Sequence, residues 1–195
     1  MNLRVIIPPT VEPVSVAQAN FHLRLTVEAD DVSPQPEDTL VGALITAARQ
    51  AAENFLNRPV AEATFELRSG CFDVEIPASP VSELVSVIYT STDGLPVTVS
   101  PSLYRLAGPV DAPELRLAYA ASWPTDVRDE DDAIAIQFVA GYGEDYPLPA
   151  PVYQAILLIV GHLYENREDT STANLKELPM GSRYLLNPYR VRMGL

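Results

Sequence analysis

The side chains able to do chemistry are few and scattered. His22 and His162 fall in two separate helical segments, each expected to be a packed or surface histidine rather than a base. Cys71 is the only cysteine, so no internal disulfide is possible; it is expected to be a half-buried strand residue. Asp126 to Asp132 packs five acids into seven residues, broken by Val127 and Arg128. A calcium loop needs a glycine for its sharp turn, and none is there, so this run reads as a solvated acidic loop. No serine sits in a nucleophile elbow, no glycine-rich loop carries a phosphate-binding lysine, and no Cys/His pair has metal-ligand spacing. Gly141-Tyr142-Gly143 lacks the strand–loop–helix context of a dinucleotide site and reads as a strand-terminal turn. Carboxylates are plentiful, yet no pair is placed by sequence in one pocket. The expectation is no enzyme, no cofactor and no metal.

The elements that hold these residues centre on one apolar helix, read over 152–167. From Ala155 to Leu163 only Gly161 and His162 interrupt the apolar residues, so the helix needs cover on several sides. The run is far short of the ~20 residues that span a bilayer, and no membrane is expected as a partner. No basic segment followed by an apolar one marks a signal peptide. Val152, Ile156, Ile159, Val160 and Leu163 are the candidate packing residues, within a subunit and between subunits.

Ahead of it, Pro8, Pro9 and Pro13 mark residues 1–14 as an extended arm. Ser15 and Gln18 have capping-box spacing, predicting a short helix to about Leu25 with Val16, Ala19 and Leu23 inward. A second helix is expected over 37–57, with Leu40, Ala43, Leu44, Ala47, Ala48, Ala51 and Phe55 as its apolar face and Pro59 as its stop. From Val60 to Tyr146 the period switches to two. Phe65 and Leu67, then Phe72, Val74 and Ile76, predict a hairpin turning at Ser69-Gly70. Strands over 84–90, 103–107, 114–119 and 133–140 follow, with Asp93-Gly94 as a turn and Leu115, Leu117, Tyr119, Ile134, Ile136 and Phe138 inward. Alternation predicts antiparallel strands with one solvated face. The fold class is therefore α+β: a helical core of three to four helices with an inserted antiparallel β-domain. The expected divisions are an arm and helices over 1–59, the β-domain over 60–146, and the central helix with a tail over 147–195. Residues 165–174 are expected to be a polar loop and Leu178-Pro179-Met180-Gly181 a turn.

The net charge is −13, unevenly spread. Residues 170–195 carry Lys176, Arg183, Arg190 and Arg192 against Glu177, a net +3, while the preceding residues carry −16. An acidic body repels nucleic acid, which argues against a sequence-reading DNA-binding module. The basic end suits an acidic partner.

The order of segments also carries a resemblance. It runs from Pro13-Val-Ser-Val-Ala-Gln-Ala19 through Leu44-Ile-Thr-Ala-Ala-Arg-Gln-Ala-Ala-Glu53 to Asn57-Arg58. Ile76-Pro-Ala-Ser-Pro-Val81, Val87-Ile-Tyr89, Tyr104-Arg-Leu106 and Trp123-Pro124 follow in the β region. Phe138-Val-Ala-Gly-Tyr-Gly143, Gln154-Ala-Ile-Leu-Leu158, His162-Leu-Tyr-Glu-Asn-Arg-Glu168 and Leu185-Leu-Asn-Pro-Tyr-Arg190 complete it. Together they resemble the head–tail connector, or adaptor, family of tailed phages, prophages and gene transfer agents, over nearly the whole chain. The resemblance implies a structural virion protein at the head–tail interface, assembled in the bacterial cytoplasm. It implies a homo-oligomeric ring, commonly a dodecamer, between a portal protein and a stopper or tail-side protein, around double-stranded DNA that passes without sequence-specific binding. It further implies portal contacts from Tyr184, Leu185, Leu186, Pro188, Tyr189, Arg190 and Arg192. Asp129, Glu130, Asp131 and Asp132 are candidate channel-facing acids, since a basic bore would hold phosphates and stall the polymer. The alternative reading is a stand-alone module that binds a small ligand or protein and has no virion role.

Overall fold

The computed structural model describes residues 2–26, 28, 31–166 and 180–191. They form two compact units, Met1–Thr10 with Ala61–Tyr146 and Val11–Val60 with Pro147–Leu195.

The first unit holds all eight strands of the described residues. A five-stranded antiparallel sheet runs in the order β1 (Asn2–Ile7), β2 (Ala63–Ser69), β8 (Ile134–Ala140), β4 (Val81–Thr90), β5 (Pro96–Thr98). A three-stranded sheet runs β3 (Val74–Glu75), β7 (Glu114–Leu117), β6 (Tyr104–Ala107). Both sheets feed one core, in which Phe72, Val74, Ile76, Tyr104 and Leu115 meet Phe65, Leu67, Val87, Ile136 and Phe138. Phe65 and Phe138 sit directly opposite on β2 and β8 and stack with ring centroids 5.7 Å apart. The Asp93-Gly94 turn joins β4 to β5, with Gly94 at φ 81°, where glycine carries no steric cost. Gly141 at φ 126° lets the chain leaving β8 pass against the carbonyl of Ala61, where any Cβ would clash.

Several expectations change here. The stretch read as an extended arm contains β1, paired antiparallel with β2 from Asn2↔Arg68 to Val5↔Phe65. The predicted hairpin between β2 and the following apolar run does not form. β2 pairs with β1 and β8 instead, and β3 pairs with β7 in the other sheet. Alternation reveals which residues share a face but not which strand lies alongside. Tyr119 lies past β7 and is fully exposed rather than inward. Cys71 is exposed in the link between β2 and β3, not in a strand.

In the second unit, α1 (Val16–His22) starts on the predicted capping box. The Gln18 amide donates to Ser15 Oγ at 3.2 Å and the Ser15 amide to Gln18 Oε1 at 2.9 Å. α2 (Asp38–Leu56) ends at Asn57 in the left-handed region, φ 55°, just before Pro59. α3 (Ala150–Glu165) begins behind Pro149 with Pro151 in its first turn, where a missing N–H costs nothing. α4 (Met180–Leu186) and a 3-10 turn at Asn187–Tyr189 follow. The buried face of α2 is Val41, Ile45, Ala48, Ala52 and Leu56, one position round from the predicted stripe. Leu40, Ala43 and Ala47 face outward. Arg49 is inside, and the guanidinium needs anions around it: Nε meets Glu12 at 2.8 Å and Nη1 meets Glu53 at 2.7 Å. Burial works against that charge, and the bonds and charges of Glu12 and Glu53 outweigh it, raising the Arg49 pKa.

Candidate assembly surfaces

α4 is seated by its apolar side. Leu186 is completely buried, and Leu185 and Tyr189 pack against the helical core. Beyond α4 the backbone is tied to the end of α2. The Val191 amide donates to the Leu56 carbonyl at 2.9 Å, and Asn57 Nδ2 donates to the Val191 carbonyl at 3.1 Å. The guanidiniums of Arg183 and Arg190 stand 5.9 and 5.2 Å from the centroid of the Phe55 ring, within cation–π range. They also bring positive charge to the last turn of α2, which has no basic residue of its own.

Of the residues the sequence assigned to partner contact, Tyr184, Pro188 and Arg190 are exposed. Leu186 is corrected: with no exposed surface it anchors α4 and has nothing left to offer a partner. Leu185 and Tyr189 are half-buried supports. Arg192 lies outside the described residues, as do most of the predicted polar loop over 165–174 and the first half of the predicted turn at Leu178-Pro179. Met180, strongly exposed at one turn before Tyr184, was not singled out from sequence. Its signal was the i, i+4 spacing to Tyr184, readable only once α4 is known to begin at Met180.

The central helix is likewise covered by its own chain. Val152, Ile156, Ile159 and Val160 are buried in the helical core with Val41, Ile45, Ala48 and Leu186, and Leu163 packs half-buried at its edge. A role for the first four between subunits is therefore corrected, because α1, α2 and α4 supply the cover. Gly161 faces α1, with His22 Nε2 3.5 Å from where a Cβ would stand, an ordinary packing distance. Tyr164 donates to a Glu37 carboxylate oxygen, tying the last turn of α3 to the residue just before α2.

Asp129, Glu130, Asp131 and Asp132 are all exposed on the turn leading into β8. Arg128 pairs with Glu130 at 2.8 Å, and the Asp131 backbone packs beside Gly70. Asp126 differs from the rest of its run: it accepts from the Tyr89 hydroxyl at 2.9 Å, a bond that raises the Tyr89 pKa.

Sequence reading missed Glu66. It lies on the outer side of β2, almost completely buried, in a polar row crossing four strands: Arg4, Glu66, Gln137 and Ser86 are successive cross-strand partners. Glu66 Oε1 takes Arg4 at 2.8 Å and Arg68 at 2.9 Å, and Gln137 donates to Oε2 at 3.3 Å. Burial pushes this carboxyl up, but the bonds from Arg68 and Gln137 with the charges of Arg68 and Arg4 win, holding it below the usual range.

Among the described residues, no group of three His, Cys, Asp or Glu side chains is placed to hold a metal, and no helix is long and apolar enough to cross a membrane. An open groove of about 620 Å³ in the helical unit is lined by Gln18, Phe21, His22, Arg24, Tyr153 and Leu157 among others, with no carboxylate or thiol among the described residues of its wall.

No family model matches the sequence, and no curated protein matches it. Solved structures do. A chain from the neck of an empty gene transfer agent particle, computed with C6 symmetry, superposes with a TM-score of 0.77 at 24% identity, covering 100% of this chain and 98% of that one. This chain has that fold. A chain from the virion of a native gene transfer agent particle gives the same values. A chain from the neck of a native gene transfer agent particle, computed with C12 symmetry, gives 0.70 at 22% identity with the same coverage.

Proposed function

We propose that this chain is a head–tail adaptor: one subunit of a ring in a virion neck, set between a portal and a stopper or tail-side protein around the DNA exit channel. The observation that carries the reading is the end-to-end superposition on chains from gene transfer agent necks. The C6 and C12 symmetries of those necks support a ring of copies; twelve is the number we propose. An acidic body with exposed Asp129, Glu130, Asp131 and Asp132 suits a bore that must let phosphates slide. The role is structural, with no catalytic step.

Portal contact falls to the outward side of α4 and its extension: Met180, Tyr184, Pro188 and Arg190, with Arg192 next along the chain. Leu185, Leu186 and Tyr189 hold that side in place. Removing the whole segment would also remove Leu186 from the core, so point changes are the cleaner test. A Tyr184→Glu, Arg190→Glu double variant is expected to fold and form rings but to lose portal binding in a pull-down. Undiminished binding would sink the docking assignment and leave the ring reading standing. A chain that stays monomeric in native mass spectrometry, alone and with portal, favours a stand-alone binding module holding its ligand in the groove at His22 and Tyr153.

A further inference from the structure

The two edges of the five-stranded sheet are built differently. At the β5 edge the strand is three residues long. The Val99 amide donates to the Val87 carbonyl and the Ser91 amide to the Leu95 carbonyl, both at 2.8 Å, so Leu95, Val97 and Val99 turn their polar groups toward β4. Pro96 and Thr98 are left to face outward, and Pro96 has no N–H. That edge is short and proline-blunted, a standard defence against strand addition.

β1 lacks the shortness and the proline of that edge, and its one irregularity is a register shift against β2 between Val5 and Ile7. It is six residues long, all exposed, with no proline before Pro8, and among the described residues it is paired on one side only. Its side chains also continue rows that are buried elsewhere. Val87, Ile136, Leu67 and Leu3 are cross-strand partners in turn; the first three are fully buried and Leu3 is 37% exposed. Phe138, Phe65 and Val5 form the next row, ending with Val5 at 53%. On the other side of the sheet Arg4 clamps β1 to Glu66, fixing the strand in register. The stretch from Asn2 to Val5, in continuous register with β2 and carrying Leu3 and Val5 on one face, is a template for another strand.

We propose that the free edge of β1 is the joint between neighbouring subunits, where an extended segment of a second copy adds to the sheet and covers Leu3 and Val5. This rests on the ring reading, which makes a copy the neighbour on either side. Contacts in a cyclic ring join two different surfaces, so β1 meets a segment other than its neighbour's own β1. The unequal edges fit that requirement: one edge receives and the other is closed.

The test uses the full chain, alone and mixed with portal. Val5→Lys places a charge on the open edge and Val97→Lys places one on the closed edge. Val5→Lys is expected to abolish rings in native mass spectrometry while circular dichroism matches wild type; Val97→Lys is expected to keep them. Hydrogen exchange on unmodified chain needs no variant: some amides within residues 3–7 are expected to gain protection on assembly. Rings formed equally by Val5→Lys, or assembly with no added protection in β1, overturn the inference and spare the ring. A wild-type chain that forms no ring under either condition overturns both.

Discussion

In the helical unit the buried charge is a cation, Arg49, and its two carboxylates close over it. Arg49 is 8% exposed at the side chain, with Glu53 one turn along the same helix and Glu12 in the chain leading to α1. In the sheet unit the buried charge is an anion, Glu66, and its two arginines lie at the surface, Arg4 at 58% and Arg68 at 37%. The partners are thus half-buried carboxylates in one unit, Glu12 at 31% and Glu53 at 21%, and more exposed arginines in the other. The less exposed the partners, the less salt screens the pair and the more the loss of a member costs. The more open cluster fastens the strand that we assign to subunit joining.

The largest expected effect tests the Arg49 cluster. Arg49→Ala leaves the half-buried Glu12 and Glu53 without their cation, and a loss of about 4 kcal/mol is expected. Hydrogen exchange should show it in α1, α2 and α3 with the sheet amides unchanged; equal loosening of both units would show the contrast to be false. Leu186→Ala comes next, at about 3 kcal/mol for a fully buried leucine. It should free α4 more than any change at Tyr184, and urea melts of the two variants decide whether α4 is seated as described.

Glu66→Gln is smaller, about 2 kcal/mol, since Arg4 and Arg68 keep access to water. Here pH sharpens the comparison. The folded carboxyl sits below its ordinary value, so the unfolded chain binds its proton first as pH falls. The stabilisation is complete above the ordinary glutamate pKa of about 4.3 and disappears as pH drops through the lower folded value. Wild type should lose more stability than Glu66→Gln between about pH 5 and pH 3, and parallel curves would remove Glu66 from the account. Smallest of all, Ser15→Ala should cost about 1 kcal/mol through the lost cap, measured by thermal unfolding.

Much of the helical unit was legible because its signals are local. Ser15 and Gln18 are three residues apart, and Pro59 and Pro151 act on their immediate neighbours. Glu66 was not legible: as one polar residue in an alternating strand it predicts a solvated side chain, and its burial comes from Arg4, far back in the chain, and Gln137, far ahead. Leu186 was misread for a similar reason. A short apolar pair near a basic end looks the same whether it faces a partner or its own core.

The sequence by itself determined the α+β class, the capped start of α1, the stop after α2, and the need of the α3 segment for cover on several sides. These follow from side-chain period, backbone limits and composition, which act over a few residues. Only the tertiary structure decided that β2 lies between β1 and β8, that α2 turns Val41, Ile45 and Arg49 inward, and that the sheet ends in one closed edge and one open edge. Strand order and the choice of buried face depend on pairing between segments tens of residues apart. A periodic pattern says that a face must be covered; only the assembled chain says by what.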